Sequence, residues 1–188
     1  IGELVFVIVL SPLVFVLCLL LGALIKIDSA GPMLFRQRRT GLNGKEFWIT
    51  KLRTMTHDLT ELPKERFATE ADQRITQTGR WIREYRLDEL PQFWNVLRGE
   101  MSLIGPRPEQ PEFVRQFRSS IPLYEIRHTV RPGITGWAQI RYGYASSEEQ
   151  AREKLEYDLF YIKHMSVWLD FNIVLRTLTT IILRKGAR

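Results

Sequence analysis

A single cysteine, Cys18, in 188 residues excludes a disulfide within the chain, which suits a reducing compartment. Histidine is scarce too: His57, His128 and His164 are the only three, and they lie far apart. With one cysteine among them they form no zinc-binding spacing. A hard, oxygen-ligated cation stays open. Neither G-x-x-x-x-G-K-[ST] nor G-x-G-x-x-G occurs, so the two common nucleotide-binding loops are excluded. There are no internal repeats, low-complexity tracts or linker-like stretches. The length suits one ordinary domain with a real core.

The charge balance leans one way. Twenty-seven Lys and Arg against twenty-one Asp and Glu give a formal charge of +6. That favours partners rich in phosphate: nucleic acid, anionic lipid or a phosphorylated substrate. The chain starts at Ile1 rather than Met, and is expected to be part of a longer protein.

Hydrophobicity is concentrated at the start. Residues 4–25, LVFVIVLSPLVFVLCLLLGALI, are almost wholly apolar, while mean hydropathy over the whole chain is only −0.15. At 1.5 Å per residue the run covers roughly 33 Å, enough to span a hydrocarbon core. Glu3 precedes it, and no small-residue cleavage site follows, so a signal peptide fits poorly. Ser11-Pro12 sits near its middle. The proline removes a backbone hydrogen bond and crowds the carbonyl of Ile8. A bend there could return the chain to the side it entered, with the Ser11 hydroxyl satisfying freed backbone groups. Physics alone favours a plain span. From Met33 to Arg53, Arg36, Arg38, Arg39, Lys45, Lys51 and Arg53 face Glu46 alone. Such a cluster marks the cytoplasmic side and attracts anionic headgroups.

Further along, Asn43-Gly44 predicts a hairpin turn between strands at 33–40 and 45–52. Residues 57–78 read as loop and short helix. GRWIREYRLDEL predicts a helix ended or kinked by Pro91, and PQFWNVLRGEMS a restart with Pro91 at its first position. Residues 104–111 read as irregular, and VRPGITGWAQIRYG as loop and turn. Ser146-x-x-Glu149 is read as a capping box opening a helix to about His164, and Ser166 as the cap of another to Leu183. That last segment is strongly apolar, but Asp170 and Arg176 make a buried span costly. An interfacial helix and a plain core helix are both open for it.

Three groupings could carry chemistry. Asp88 and Glu89 are adjacent; on an α-helix they would point about 100° apart, so one could face a substrate while the other holds a cation. A solvated acidic pair balancing Arg83 and Arg86 is the plain alternative. Arg107 stands between Pro106 and Pro108, a stiff mount suited to bidentate phosphate recognition. Arg131 heads a Pro-Gly turn of similar character.

The segments LDELPQFWNVLRGEMSLIGPRPE, RTGLNGKEFWITKLRTM, RPGITGWAQ and YDLFYIKHMSVWLDFNIVLRT, taken together and in this order, resemble the bacterial sugar transferase family, the monotopic polyprenyl-phosphate phosphoglycosyl transferases. The resemblance covers nearly the whole chain. It implies an α+β, mostly α fold: one compact catalytic domain, a small β-hairpin and an N-terminal membrane helix broken at Ser11 and Pro12 and therefore re-entrant. The expected organisation is 1–26 for that helix and 27–188 for a catalytic domain with interfacial helices on the cytoplasmic face of the bacterial inner membrane. The implied activity moves a sugar-1-phosphate from a UDP-sugar to undecaprenyl phosphate, initiating exopolysaccharide or other glycoconjugate assembly. Asp88 would be the nucleophile, forming an aspartyl phosphosugar. Mg²⁺ would be the cofactor, with Glu89 as its ligand and Asp88 sharing it. Lys51, Arg53, Arg107 and Arg131 would bind substrate phosphate. Glu100 and Asp158 match acidic family positions of unassigned role. Implied partners are the UDP-sugar, undecaprenyl phosphate and membrane lipid but no nucleic acid; a homodimer stays open. The style of 142–163 suggests a larger exopolysaccharide-initiating parent with further transmembrane helices and another domain. The rival reading is a nonenzymatic basic membrane adaptor or nucleic-acid binder, which has no reason to place an Asp-Glu dyad beside its cations.

Overall fold

The computed structural model describes residues 2–56, 74–142 and 147–183. Among them the chain is mostly helical, with two short sheets. The helix α1, Gly2–Asp28, holds the whole apolar run. Its backbone is helical throughout, Pro12 included. The Ser-Pro pair therefore interrupts the hydrogen-bond ladder rather than the helical path. Pro12 has no N–H to offer Ile8, and Ser11 Oγ donates to the Val7 carbonyl at 2.6 Å, a back-bond that favours bending.

Both ends of α1 are held by the folded body. The Glu3 carboxylate accepts from Ser102 Oγ at 2.9 Å and from the Leu103 N–H. Val7 is fully buried with Phe47, Ile49, Val96 and Met101. At the far end Leu21 and Ile25 pack with Leu52 and Ile82, and Asp28 accepts from the Thr78 N–H at 3.0 Å. Between these anchors Val9 is 70% exposed and Phe15 64%.

The predicted hairpin is present. Strands β1, Leu34–Thr40, and β2, Glu46–Leu52, pair antiparallel. Asn43 takes φ 54° in the turn between them, the left-handed region that asparagine tolerates better than most residues. Successive β2 side chains face opposite ways. Phe47 and Ile49 are buried on one face, and Lys51 follows them on it.

The next segment departs from expectation. Helix α2, Gln77–Glu84, is capped by Thr76, whose side chain accepts from the Gly79 N–H. It ends before the dyad. Arg86 then adopts φ 53°, and Leu87–Gln92 forms a 3₁₀ turn containing Pro91. Helix α3, Phe93–Leu97, starts two residues after Pro91 rather than on it. Thus the helical path breaks at Tyr85 and Arg86, not at the proline, whose fixed φ suits the turn it sits in.

A small sheet joins the end of the predicted second helix, which stops at Leu97 rather than running to Ser102, to the predicted Pro-Gly turn. Strand β3, Ser102–Ile104, pairs in parallel with β4, Gly133–Thr135, through Ser102↔Gly133 and Ile104↔Thr135. The Pro-Gly turn is therefore the entry to a strand. Helix α4, Pro111–Ser120, and the 3₁₀ turn Tyr124–His128 lie between them, and α5, Trp137–Arg141, follows. Helix α6, Glu148–Lys163, is capped by Ser147, which accepts from the Gln150 N–H, so the cap is one residue later than expected. Ser166 caps α7, Val167–Ile182, as expected. Along α7 only Ile173 is buried, while Val167, Trp168 and Ile182 are 89, 73 and 74% exposed. It is not a core helix.

Candidate active site

The 3₁₀ turn is what places the dyad. Residues on such a turn are about 120° apart, so neighbouring side chains part even more than on an α-helix. Glu89 points inward and is 7% exposed. Its Oε1 accepts from Lys51 Nζ at 2.8 Å and from Arg107 Nη2 at 2.9 Å. Lys51 also lies 3.6 Å from Asp88 Oδ2, close enough for ion pairing but beyond a good hydrogen bond. One lysine thus faces both carboxylates, while the arginine hydrogen-bonds Glu89.

The two carboxylates are pushed apart electrostatically. Burial raises the Asp88 carboxyl above its ordinary range; Lys51 offsets this in part, and the neighbouring Glu89 charge adds to the rise. Burial acts on Glu89 in the same sense, but Arg107 and Lys51 outweigh it and hold that carboxyl well below its usual range. Glu89 is a fixed anion that tethers two cations. Asp88 is the less committed carboxylate, suited to reaction with an incoming group.

Arg83 is a site residue that the sequence reading treated only as a charge to be balanced. Its Nε donates to Thr54 Oγ1 at 2.8 Å, and its charge lowers the Asp88 carboxyl. The signal was its place five residues before Asp88, which becomes meaningful only when the helix stops between them. Gly79 permits this arrangement, because a Cβ there would run into the Thr54 carbonyl.

The remaining candidates separate. Lys51 and Arg107 meet at Glu89. Arg53 does not join them: it is buried, and donates to the carbonyls of Ala30 and, at 2.7 Å, of Ser29 just beyond α1. Arg131 is exposed and makes no hydrogen bond or ion pair among the described residues. Glu100 accepts from Asn95 Nδ2 at 2.7 Å, and Asn95 also donates to the Trp48 carbonyl, so Glu100 helps tie α3 to β2. Asp158 is paired with Arg127 at 2.9 Å, both side chains 3% exposed. Ser11 and Pro12 belong to the middle of α1. His57 lies outside the described residues. A cavity of about 110 Å³, lined in part by Glu109, Phe117, Tyr124, Arg127, Lys154 and Asp158, lies apart from the dyad.

No group of three His, Cys, Asp or Glu able to hold a metal occurs among the described residues. The oxygen donors at the dyad are two carboxylates, and both hydrogen bonds to Glu89 fall on Oε1, leaving Oε2 outside them. This donor set is too small for a dedicated cage. It fits Mg²⁺, which is often held by one or two carboxylates, with substrate phosphates and waters completing the shell.

Comparison with known proteins agrees with the motifs. The family model described as bacterial sugar transferase matches residues 1–184. The chain is 50% identical over 177 residues to the UDP-N-acetylgalactosamine-undecaprenyl-phosphate N-acetylgalactosaminephosphotransferase of Aeromonas hydrophila, covering 94% of this chain and 42% of that protein. It is 45% identical over 172 residues to a UDP-glucose:undecaprenyl-phosphate glucose-1-phosphate transferase of Caulobacter vibrioides, covering 90% and 64%. It is 38% identical over 191 residues to an uncharacterized sugar transferase of Bacillus subtilis, covering 94% and 86%. The chain spans 42, 32 and 38% of the length of three curated relatives it matches.

Proposed function

This chain belongs to the bacterial sugar transferase family, and from that premise we propose that it transfers a sugar-1-phosphate from a UDP-sugar to undecaprenyl phosphate through a covalent intermediate on Asp88. The observation that carries the reading is the division of labour in the dyad: Glu89 accepts close hydrogen bonds from Lys51 and Arg107, while the ion pair of Asp88 with Lys51 is longer, at 3.6 Å.

In the first half-reaction an Asp88 carboxylate oxygen attacks the β-phosphorus of the UDP-sugar. A phosphorus–oxygen bond forms to Asp88, the bond to the bridging oxygen breaks, and UMP departs with that electron pair. In the second, a phosphate oxygen of undecaprenyl phosphate attacks the same phosphorus and releases the Asp88 carboxylate. The product is undecaprenyl-diphospho-sugar. Each attack brings one anion against another, so nearby cations are required. Lys51 sits between the two carboxylates and lowers repulsion at Asp88. Arg107, with a planar fork on a proline-flanked mount, would donate to diphosphate oxygens as substrate competes with Glu89 for it. Arg83 supplies further positive charge beside Asp88. Mg²⁺ would be held by Asp88 and Glu89 and would neutralise charge on the transferring group when bound.

The reaction is proposed to run at the cytoplasmic face of the inner membrane, where the acceptor phosphate lies. Helix α1 is long and apolar enough to cross a bilayer by length and composition. A helix crossing it, with the folded body on one side, would carry one end about 30 Å away. Here Glu3 and Asp28 both bond to that body. That supports a segment which enters and returns at Ser11-Pro12, with the exposed apolar side chains of α7 in the interface.

The test is incubation with a panel of UDP-sugars and undecaprenyl phosphate, scoring UMP release, with intact-mass measurement when acceptor is omitted. Wild type should gain one phosphosugar, and Asp88→Asn should gain none and lose activity by several orders of magnitude. Normal turnover by the Asn variant would remove Asp88 as nucleophile.

A further inference from the structure

Arg107 stands in an irregular loop, yet four successive carbonyls of that loop are each held by a different residue, from three parts of the chain. The Pro106 carbonyl accepts from the Gly133 N–H at 3.0 Å. That of Arg107 accepts from Arg127 Nη2 at 2.8 Å. Pro108 accepts from Arg39 Nη1 at 3.1 Å, and Glu109 from the Thr40 N–H at 2.9 Å. Of the four donors, Arg127 is the one that holds the carbonyl of Arg107 itself.

Arg127 is itself held by four hydrogen bonds of the five a guanidinium can donate. Its Nε and Nη2 donate to Asp158 Oδ2 at 3.1 and 2.9 Å, and its Nη1 donates to the Tyr124 hydroxyl at 3.0 Å. The planar guanidinium thereby fixes the direction of the remaining Nη2 bond. A buried ion pair of this kind is weak evidence of stabilisation, since well-packed apolar residues often serve as well. A placement role accounts better for what it touches. The path runs from Asp158 on α6, through Arg127, to the Arg107 backbone, and from the Arg107 side chain to Glu89.

We infer that Arg127, oriented by Asp158, is a positioning residue that sets the reach of Arg107 toward the dyad. This rests on the proposed phosphate role of Arg107. A long side chain magnifies small backbone errors at its tip, and a misplacement of about 1 Å at a reacting centre can cost about 100-fold in rate.

The test uses the full chain in detergent or nanodiscs and four proteins: wild type, Arg127→Lys, Arg107→Lys and the double variant. Lysine keeps the buried charge but lacks the planar fork, so a single ammonium cannot reproduce the four bonds to Asp158, Tyr124 and the Arg107 carbonyl that orient the arginine. Arg127→Lys should lower kcat/KM for the UDP-sugar by about 30- to 100-fold. In the Arg107→Lys background the same change should cost less than about threefold, because the group it positions is gone. Additive losses would overturn the inference, as would wild-type kinetics for Arg127→Lys. Asp158→Asn, a milder change, should show the same coupling if Arg127→Lys fails to fold. Hydrogen exchange gives an arm independent of activity: Arg127→Lys should speed exchange in the peptide spanning 105–110 with little change elsewhere, and unchanged or uniformly raised exchange would count against it. Absence of UMP release by wild type would instead overturn the proposed function, and wild-type kinetics for Arg107→Lys would overturn the phosphate role on which the inference depends.

Discussion

Replacing Lys51 with Met removes the cation shared by both carboxylates while keeping an unbranched apolar stem. At an effective dielectric of about 20, unit charges at the 2.8 Å and 3.6 Å separations seen to Glu89 and Asp88 attract by roughly 6 and 5 kcal/mol. Desolvation of the ammonium offsets much of that, and removing one partner of a buried pair costs about 3–5 kcal/mol net. For a domain of this size that corresponds to a fall in Tm of roughly 6–20 °C. The chemical consequence has a definite sign. Lys51 lowers the Asp88 carboxyl, so its loss lets that carboxyl rise further. Attack needs the ionised form, so the acid limb of the kcat/KM profile should move to higher pH. Lys51→Arg, which keeps the charge, should leave the limb close to wild type. The assay is UMP release across a pH series, on protein checked for folding by thermal melting. An acid limb that stays in place, or moves to lower pH, in folded Lys51→Met would refute the assignment of Lys51 as the cation that controls Asp88.

Other expectations follow from the same geometry. Arg53→Met should cost about 3 kcal/mol or more of stability through loss of two charge-assisted bonds, read as a fall in Tm, while KM for the UDP-sugar stays near wild type; a large rise in KM would return Arg53 to the phosphate site. Gly79→Ala should push α2 away from Thr54 and shift Arg83, lowering both Tm and kcat, whereas an unchanged Tm would mean the close approach is dispensable. Burial would raise the Glu109 carboxyl, but Lys154, Arg127 and Arg39 bring it down to about 2. Its depressed value contributes about 3 kcal/mol of stability above pH ~4.5, lost as pH falls from there toward 2. Glu109→Gln should flatten that part of an acid-unfolding curve followed by near-ultraviolet circular dichroism, and an unaltered slope would contradict it. Changing Ser11 to Leu and Pro12 to Ala, with Cys18→Ser and a cysteine placed at Gly2, should expose that cysteine to an impermeant reagent added to intact cells. Labelling of the same site with Ser11-Pro12 retained would count against the re-entrant reading; in both cases the upstream residues must be absent or known.

Local signals alone determined much of this protein. Asn43-Gly44 marked the hairpin, Ser166 marked the start of α7, and the apolar run marked α1, because turns, caps and periodicity arise between residues a few positions apart. The adjacent motifs around Asp88 and Arg107 were legible for the same reason. What those signals left open was decided by contacts distant in sequence. Nothing near Arg86 announced that the helix would end there and a 3₁₀ turn would part Asp88 from Glu89. The parallel pairing of β3 with β4 joins segments about thirty residues apart, and neither strand is long enough to show a period. Most of all, a basic residue does not carry its role in its own sequence neighbourhood. Lys51 and Arg53 are two positions apart; one meets the Glu89 carboxylate and the other the carbonyls beyond α1. A buried cation must be satisfied by whatever anion or carbonyl the fold brings to it, and only the tertiary structure decides which.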